Sequence, residues 1–177
     1  CGAILHYLNE TKHDKLKHLT RVSRIEEDHY VWLDKFTIRN LELYGSNHEN
    51  GRSLIDVIDK TVSPMGSRLL KRWLALPLKN AAAINDRLEA VEHFVQQSDN
   101  RYELVNLLKE VGDLERLISK TAAMRVNPRE LVHLKRSLLV IQRVKEELKL
   151  SNHPALQKIA DQLNPCHIID RKSTRLN

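Results

Sequence analysis

The chain has 177 residues, of which 41% are hydrophobic, and its many Leu, Lys, Glu and Arg residues favour a helical, soluble globular domain. No apolar run approaches the roughly 20 residues that a membrane helix needs, and residues 1–6 lack the basic start and long apolar centre of a signal peptide. The formal net charge of +6 is concentrated in residues 1–24, 128–150 and 171–175, a pattern more typical of solvated helix surfaces than of a DNA-binding face.

The first third of the chain contains short elements separated by polar stretches. Residues 3–11 predict a helix, and the apolar run at residues 30–33 predicts one strand or an extended segment. Asp34 is placed to cap a short helix that continues through Leu43. Farther along, Ser53 caps another short helix, in which the residues expected to point inward are Leu54, Val57 and Ile58.

The polar stretch of residues 44–52 superficially resembles the sequence pattern of a phosphate-binding loop. Its glycines, Gly45 and Gly51, precede Arg52 and Ser53, whereas the phosphate-binding pattern is Gly-x4-Gly-Lys-Ser/Thr. Here five residues separate the glycines, an arginine replaces the lysine, and no convincing buried strand comes before the loop. Because the backbone amides of such a loop must converge on one phosphate, the extra residue favours a surface turn.

A helical hairpin is predicted at the centre of the chain. Ser63 caps its first helix, Pro64 suits the first helical position, Pro77 ends that helix, and Asn80 caps the second. The apolar stripe of the first helix is Met65, Leu69, Trp73 and Leu76, and that of the second is Ile84, Leu88, Val91 and Val95. Together the two stripes predict a large buried face.

Two shorter helices follow this hairpin. Asp99 is expected to cap a helix that ends at Gly112, and Asp113 to cap the next one. The inward residues are predicted to be Tyr102, Val105 and Leu108 in the first helix and Leu114, Leu117 and Ile118 in the second. The adjacent charges of Glu115 and Arg116 favour a salt bridge or a helix-terminus contact that holds neighbouring helices in register over a catalytic role.

The strongest signal for the start of a helix is Asn127-Pro128-Arg129-Glu130, which combines a cap residue, a proline in the first turn and a reciprocal capping box. Nothing breaks the helix before Ser151, so it forms a rod roughly 35 Å long. Its apolar seam, interrupted by Lys145, consists of Leu131, Leu134, Leu138, Ile141 and Leu148. Asn152 and Pro154 restart a last helix, whose inward residues are Leu156, Ile159 and Leu163.

Four ordered blocks of the chain, which begin at Leu33, Thr61, Asp113 and Asn127, closely resemble the central core of the MutS family of DNA mismatch repair proteins. The residues that carry the family pattern are Thr61, Pro64, Met65, Gly66, Ser67, Arg68, Trp73, Pro77, Arg87, Asp113, Glu115, Arg116 and Pro128. One departure is Ser63, where the family commonly has a threonine; both residues cap helices, so little is put in doubt.

The resemblance implies a mainly α fold that is the first half of a discontinuous core domain with a long lever helix. Residues 1–20 would be the end of the connector domain and the entry to the core, 21–127 the first part of the core, and 128–165 the lever helices that lead towards the clamp. Residues 166–177 would be a truncated end, of which 172–177 no longer match the family and are expected to be foreign or artefactual. The chain opens without an initiator Met, which also predicts a fragment.

The chemistry of a reactive site is not expected in this segment. His6, His13, His18 and His29 lack the short spacings of zinc ligands, and the adjacent Cys166 and His167 suit a tetrahedral site poorly. The two cysteines are too few and too far apart for a disulfide framework, which predicts a cytoplasmic protein. No Gly-x-Ser-x-Gly nucleophile turn occurs either. We therefore assign no catalytic, cofactor-binding or metal-binding residue.

The functional parts of the resembled family are mostly missing. Its mismatch reader uses Phe-x-Glu, whereas residues 36–38 read Phe-Thr-Ile and residues 94–96 read Phe-Val-Gln. No phosphate loop of an ATPase is present. The segment is therefore expected to be no enzyme and to carry neither site. The resemblance implies that ATP and Mg, mismatched double-stranded DNA, and the connector, clamp and ATPase domains belong to the full-length protein, which is expected to form a homodimer away from membranes.

The function implied by the resemblance is structural, namely the transmission of nucleotide state through the core and the lever helix to the DNA clamp. One alternative is the core of a MutS paralogue used in recombination, because the domains that would discriminate it lie outside this chain. The other is a helical adaptor for partner proteins, unrelated to DNA, which would explain the amphipathic helices but not the four ordered blocks.

Overall fold

The described part of the chain, residues 2–11 and 27–166 of a computed structural model, is mainly helical and contains no named strand. A short 3-10 turn, Glu27–His29, precedes the second helix. The α-helices are α1 (Gly2–Glu10), α2 (Lys35–Asn40), α3 (Leu54–Ile58), α4 (Pro64–Ala75), α5 (Ala81–Gln96), α6 (Ser98–Glu110), α7 (Leu114–Ala122), α8 (Pro128–Leu150) and α9 (Pro154–Gln162). The predicted helical class is confirmed. The predicted end of the chain, from His167 onward, lies outside the described residues.

Most helix starts lie where the capping residues predicted them. The Ser63 hydroxyl accepts the Gly66 N–H at 3.1 Å, and the Asn80 side chain accepts the Ala83 N–H at 3.0 Å. The long helix α8 has the bounds that the sequence predicts. At its start the side chain of Asn127 accepts the Glu130 N–H at 2.9 Å, while the Glu130 carboxylate accepts the Asn127 N–H at 3.1 Å. This reciprocal pair is the predicted capping box.

Helix α2 ends three residues before the predicted limit. Asp34 caps it as expected, since its carboxylate accepts the Thr37 N–H at 2.6 Å. The helix ends because Glu42 adopts a φ of 50°, and the Leu43 N–H then bonds back to the Ile38 carbonyl at 3.2 Å. This Schellman-type ending turns the chain, so that Leu43 is buried instead of continuing the helix. The prediction of a helix through Leu43 was therefore wrong.

Residues 44–52 form an irregular loop between α2 and α3, as predicted for a surface turn. The Glu42 carboxylate organises the start of this loop by accepting the Asn47 N–H at 2.7 Å. The Ser53 N–H and hydroxyl then both donate to Asp56, at 3.0 and 2.6 Å, which fixes the first turn of α3. The loop thus joins two short helices and does not follow a strand.

The apolar run at residues 30–33 is extended, and it pairs with the connection between α4 and α5. Tyr30 and Leu78 form one antiparallel bridge. The Val31 N–H donates to the Pro77 carbonyl at 2.7 Å, and the Lys79 N–H donates to the His29 carbonyl at 3.1 Å. The chain that enters the core is thereby tied to the end of α4.

The hydrophobic core lies where α8 packs between α6 and α9, with α5 completing the group. Its buried members are Leu104, Leu107, Val111, Val140, Val144, Leu148, Leu156 and Ala160. Partly buried side chains of α4, α5 and α7 also pack against it, among them Met65, Phe94 and Leu114. Among residues 2–11 and 27–166, none of the helices combines the length and the apolar composition that crossing a bilayer requires.

The predicted hairpin does not bury its two apolar stripes. No side chain of α4 or α5 is fully buried, and the α5 stripe predicted to face inward is exposed along its whole length, at Ile84, Leu88, Val91 and Val95. Instead α5 packs on the core through Ala90 and Phe94 on a neighbouring face. The prediction of a large buried face was wrong because α6 and α9, the helices that contact α5, lie against the face with Phe94.

The inward faces of five other helices were also only partly predicted. In α3 the buried residue is Ile55, and Leu54, Val57 and Ile58 are exposed. In α6 Leu104 and Leu107 are buried, whereas Tyr102 and Leu108 are exposed. In α7 Leu117 is buried and Ile118 is exposed. In α8 and α9 the exposed members of the predicted set are Leu131 and Ile159, and Ser137, Val140, Val144 and Ala160 are buried in addition to Leu134, Leu148 and Leu156.

Three residues that were predicted to begin or end a helix act differently from expectation. Asp99 lies in the first turn of α6 and Gln97 holds its cap position, while His153, not Asn152, holds the cap position of α9. Gly112 does not end α6 through a left-handed conformation. Its N–H donates to the Ser137 hydroxyl at 3.0 Å, and a Cβ there would lie 2.3 Å from the His133 ring. The glycine is needed because α8 approaches so closely.

Candidate functional site

Several of the family-pattern residues meet in a charged contact between α4 and α7, here called the Arg68 junction, which consists of Arg68, Asp113 and Glu115. Arg68 Nη1 and Nη2 donate to the two Asp113 carboxylate oxygens at 2.9 and 2.7 Å. Arg68 Nε donates to Glu115 Oε2 at 2.8 Å, and Nη2 also lies within hydrogen-bond distance of that atom. One guanidinium therefore holds two carboxylates, in a bidentate geometry that lysine cannot reproduce.

Local structure fixes Arg68 before it reaches across to α7. The Asp59 carboxylate accepts from the Thr61 N–H at 3.0 Å, from the Thr61 hydroxyl at 2.6 Å and from the Ser67 hydroxyl at 2.5 Å. A Cβ on Gly66 would lie 3.3 Å from Thr61 Cβ, so a small residue allows this close approach. The first turn of α4 is thereby tied to the preceding loop, and Arg68 projects from a fixed position.

The electrostatics of the junction favour the charged forms of its members. Hydrogen bonds from Arg68 hold the pKa of Asp113 below its ordinary value, and the two carboxylates raise the pKa of Arg68 in turn. The side chain of Asp113 is 21% exposed, whereas that of Glu115 is 68% exposed and that of Arg68 46%. Because solvent screens exposed pairs, Asp113 is the more important partner.

A second contact between family-pattern residues joins α4 to α5. The Arg87 guanidinium lies over the Trp73 ring, with its central carbon 3.8 Å from the ring centroid. This distance is well within the range of a cation–π interaction. The contact places a positive charge from α5 on the exposed side of α4, so the two helices are linked although their apolar stripes do not pack against each other.

A third contact continues from α7 to α8. The Lys120 ammonium forms a hydrogen-bonded ion pair with Glu130, the same residue that completes the capping box of α8. Hydrogen bonds from Lys120 and Asn127 hold the pKa of Glu130 below its ordinary value. The start of α8 is therefore attached both to its own cap and to α7. Together with the Arg68 junction, this contact connects α4 to α8 through polar bonds.

The remaining family-pattern residues have simpler positions. Met65 packs against the core, the Pro77 carbonyl accepts the Val31 N–H, and Pro128 holds the first position of α8. Arg116 does not pair with Glu115; its backbone N–H donates to Asp113 at 3.2 Å. The interpretation of Glu115 as part of an inter-helix contact agrees with its position, although its partner is Arg68.

Sequence reasoning did not identify Asp59, Lys120 and Glu130 as members of inter-element contacts. Lys120 carried no local signal, because its partner lies on the next helix. The position of Asp59 could have been recognised from the sequence. An aspartate two residues before a threonine commonly accepts hydrogen bonds from the N–H and the hydroxyl of that threonine. None of these contacts presents an activated nucleophile. In the described ranges no group of three His, Cys, Asp or Glu side chains is placed to hold a metal ion. The arrangement can join helices mechanically.

Replacement of Arg68 by leucine should remove most of the pH dependence that Asp113 gives to the free energy of unfolding, while the bond from the Arg116 N–H keeps a smaller part of it. The pKa of Asp113 is lowered in the folded chain, so its contribution is present above the ordinary aspartate value of about 3.9 and is lost as the pH falls below it. Urea unfolding at pH 3 to 7 would measure this slope. The wild-type chain should lose more stability at acid pH than the variant, and Arg68→Lys should restore only part of the difference.

A control for this prediction is Arg72→Leu, since Arg72 also lies in α4 and is exposed. We expect that variant to keep the acid-dependent loss of the wild type. An Arg68→Leu chain with the same pH profile as the wild type would show that the junction does not contribute to stability.

The comparisons with known proteins place these contacts in a family context. The family model described as MutS domain III matches residues 36–175, a range that contains all three inter-helix contacts. The DNA mismatch repair protein MutS of Cytophaga hutchinsonii is 55% identical over 168 residues, which cover 95% of this chain. The proteins of the same name from Flavobacterium psychrophilum and Bacteroides fragilis are 52% identical over 177 residues, or 99% of this chain. The chain spans only 20% of the length of each of these relatives.

Proposed function

The chain belongs to the MutS family, in which residues 36–175 correspond to domain III, and from this premise we propose that the segment transmits nucleotide state from the ATPase domain to a DNA clamp. Domain III is not the ATPase domain of MutS, so the segment is not catalytic by itself. Membership in the family also means that the alternative of a helical adaptor unrelated to this family is not retained. The mechanism proposed below concerns only how a displacement travels through these helices.

The observation that carries the proposal is the unbroken helix α8 and its attachments at both ends. It runs for 23 residues from Pro128 to Leu150 without a glycine or a proline after its first turn. The capping box and Lys120 hold its first turn. Near its other end Lys145 Nζ donates to the Leu163 carbonyl at 2.7 Å, and Leu148 is buried in the core. Such a helix moves as a rod because bending it would break hydrogen bonds and packing together.

The polar contacts supply a path by which a movement of α4 reaches this rod. The Arg68 junction connects α4 to α7, and the Lys120–Glu130 ion pair connects α7 to α8. Helix α4 itself has no buried side chain in the described part of the chain, so its position depends on these directed contacts more than on apolar packing. A shift of α4 would therefore be passed to α8 instead of being absorbed by a soft interface.

For the whole protein we propose the activity that the relatives' name describes, which is DNA mismatch repair. In that proposal the full-length protein binds mismatched double-stranded DNA, hydrolyses ATP with Mg and works as a cytoplasmic homodimer. This segment then has the connector, clamp and ATPase domains as its partners. The support is the family membership and the identity of half or more of the aligned residues to those relatives.

The experiment is a pair of distance measurements in the full-length protein, with and without ATP. One pair of spin labels replaces Arg129 and Lys149, exposed residues at the two ends of α8, and the separation should be roughly 30 Å in both states. A second pair joins the label at Lys149 to a label on bound DNA, and that distance should change when ATP is added. A constant second distance would contradict transmission, and a change in the first would show that α8 is not a rigid rod.

A further inference from the structure

The loop between α2 and α3 contains the one asparagine of the chain that precedes a glycine. Both residues, Asn50 and Gly51, are exposed to solvent. Within residues 2–11 and 27–166 the Asn50 side chain has no hydrogen-bond partner, and it belongs to none of the contacts that join the helices. Its amide group is therefore free to rotate towards the backbone of the next residue.

Asn47, the other asparagine of this loop, is held by its surroundings. Its Nδ2 donates to the Arg39 carbonyl at 3.4 Å, and its Oδ1 accepts from Arg39 Nε at the same distance. Its N–H donates to the Glu42 carboxylate at 2.7 Å. The residue that follows it is His48, whose side chain crowds the backbone nitrogen that an asparagine amide would have to reach. The two asparagines of the loop thus differ both in freedom and in the residue that follows them.

The pairing of a free amide with a following glycine has a specific chemistry. Because Gly51 has no Cβ, its backbone nitrogen is open to the Asn50 side chain. We propose that Asn50 is a deamidation site, at which the Gly51 nitrogen attacks the side-chain amide carbon of Asn50. A carbon–nitrogen bond forms, the bond to the side-chain nitrogen breaks, and that nitrogen leaves as ammonia with the proton of the Gly51 N–H. Water then opens the cyclic imide to aspartate or isoaspartate, so no oxidant or reductant is needed.

The turn that contains Asn50 controls this reaction. The Gly51 N–H donates to the His48 carbonyl at 3.0 Å, and the proton of this bond is the one that has to leave. The bond must therefore open before the nitrogen can attack. Exposed loops open locally at a small cost in free energy, without unfolding of the core. The folded chain should consequently react at Asn50, but more slowly than the unfolded chain.

The products change the loop in two ways. Each adds a carboxylate to a loop that is otherwise neutral at this position, and isoaspartate also adds one carbon to the main chain. The space is already filled at Gly51, where a Cβ would overlap the Ser46 hydroxyl and lie 3.2 Å from His48 Cβ. The longer main chain therefore cannot keep this turn. Because Arg52 Nη2 donates to the Asp56 carbonyl at 3.1 Å, the disturbance extends to α3.

The test is incubation of the folded 177-residue chain at pH 8, followed by proteolysis and fragment-ion mass spectrometry. The wild type should gain, at Asn50, the mass difference between a hydroxyl and an amino group. Methylation by a protein-isoaspartate methyltransferase reports the isoaspartate product. Asn50→Gln should lose both signals, because a glutamine side chain would have to close a larger ring, which forms far more slowly.

The matched control is Asn152→Gln, because Asn152 is also exposed in a connection between helices but precedes a histidine. This variant should react at Asn50 as the wild type does. A folded wild-type chain that stays unmodified at Asn50, while the same chain in urea reacts there, would overturn the proposal. Equal modification of Asn47 and Asn50 in the folded chain would overturn it as well. Equal rates at Asn50 in buffer and in urea would contradict control by the turn.

Discussion

Replacement of Leu139 by proline is expected to break α8 in its middle and to destabilise the chain by about 3 kcal/mol or more, because proline removes an interior N–H and clashes with the preceding turn. Leu139 is 48% exposed, so the loss comes from the backbone and not from a cavity in the core. In the full-length protein the variant should still bind nucleotide, while ATP should no longer release or reposition the clamp on DNA. Chemical unfolding and a DNA-release assay measure the two effects.

The control for this variant is Leu139→Ala, which removes the same side chain but keeps the helix. Alanine is the best helix former, so the variant should unfold within about 1 kcal/mol of the wild type and retain the ATP response. A normal clamp response in the proline variant would contradict the proposed role of α8. Loss of the response in both variants would assign the effect to the Leu139 side chain.

Truncation of Leu156 to alanine should be the most damaging change in the core. Leu156 is 1% exposed and packs in the cluster where α8 meets α9, so its removal leaves a cavity that the surrounding helices fill only partly. Substitutions of this kind cost about 2–5 kcal/mol. Urea unfolding followed by circular dichroism should show a lower midpoint with an unchanged slope.

Ile159 provides the matched comparison within the same helix. It lies one turn farther along α9 and is 44% exposed, although the sequence pattern predicted it to point inward. Ile159→Ala should cost less than about half as much as the Leu156 substitution, since part of its apolar surface is already in water. Equal losses for the two variants would mean that Ile159 is buried as deeply as Leu156, as the sequence pattern predicted.

The starts of the helices could be predicted because their causes are local. Ser63, Asn80 and Asn127 bond to N–H groups three residues later, and the predicted starts of α4, α5 and α8 are confirmed. Where an ending depends on an unusual conformation the prediction failed, because nothing in the sequence singles out Glu42 as a residue with positive φ. The sequence therefore predicts the hydrogen bonds that begin a helix, but it does not predict which residue adopts a positive φ at the end of one.

The buried faces could not be predicted in the same way. A helix such as α5 has more than one apolar face, and the pattern alone does not tell whether Phe94 or Val91 will meet a neighbour. That choice depends on where α6 and α9 lie, which is a property of the whole fold. The same limit applies to the Arg68 junction, whose members are separated along the chain by other helices. The resemblance identified Arg68, Asp113 and Glu115 individually, but not that they meet.

The uneven distribution of buried side chains has a consequence for local opening. Helices α6, α8 and α9 contain most of the core, whereas α4 and α5 contain no fully buried residue. Amide protons in the middle of α8 should exchange with solvent only when the whole chain unfolds, while those of α4 should exchange through smaller openings that break the Arg68 junction. The chain would then have two tiers of hydrogen-exchange protection, and the less protected tier would be the one that carries most of the family pattern.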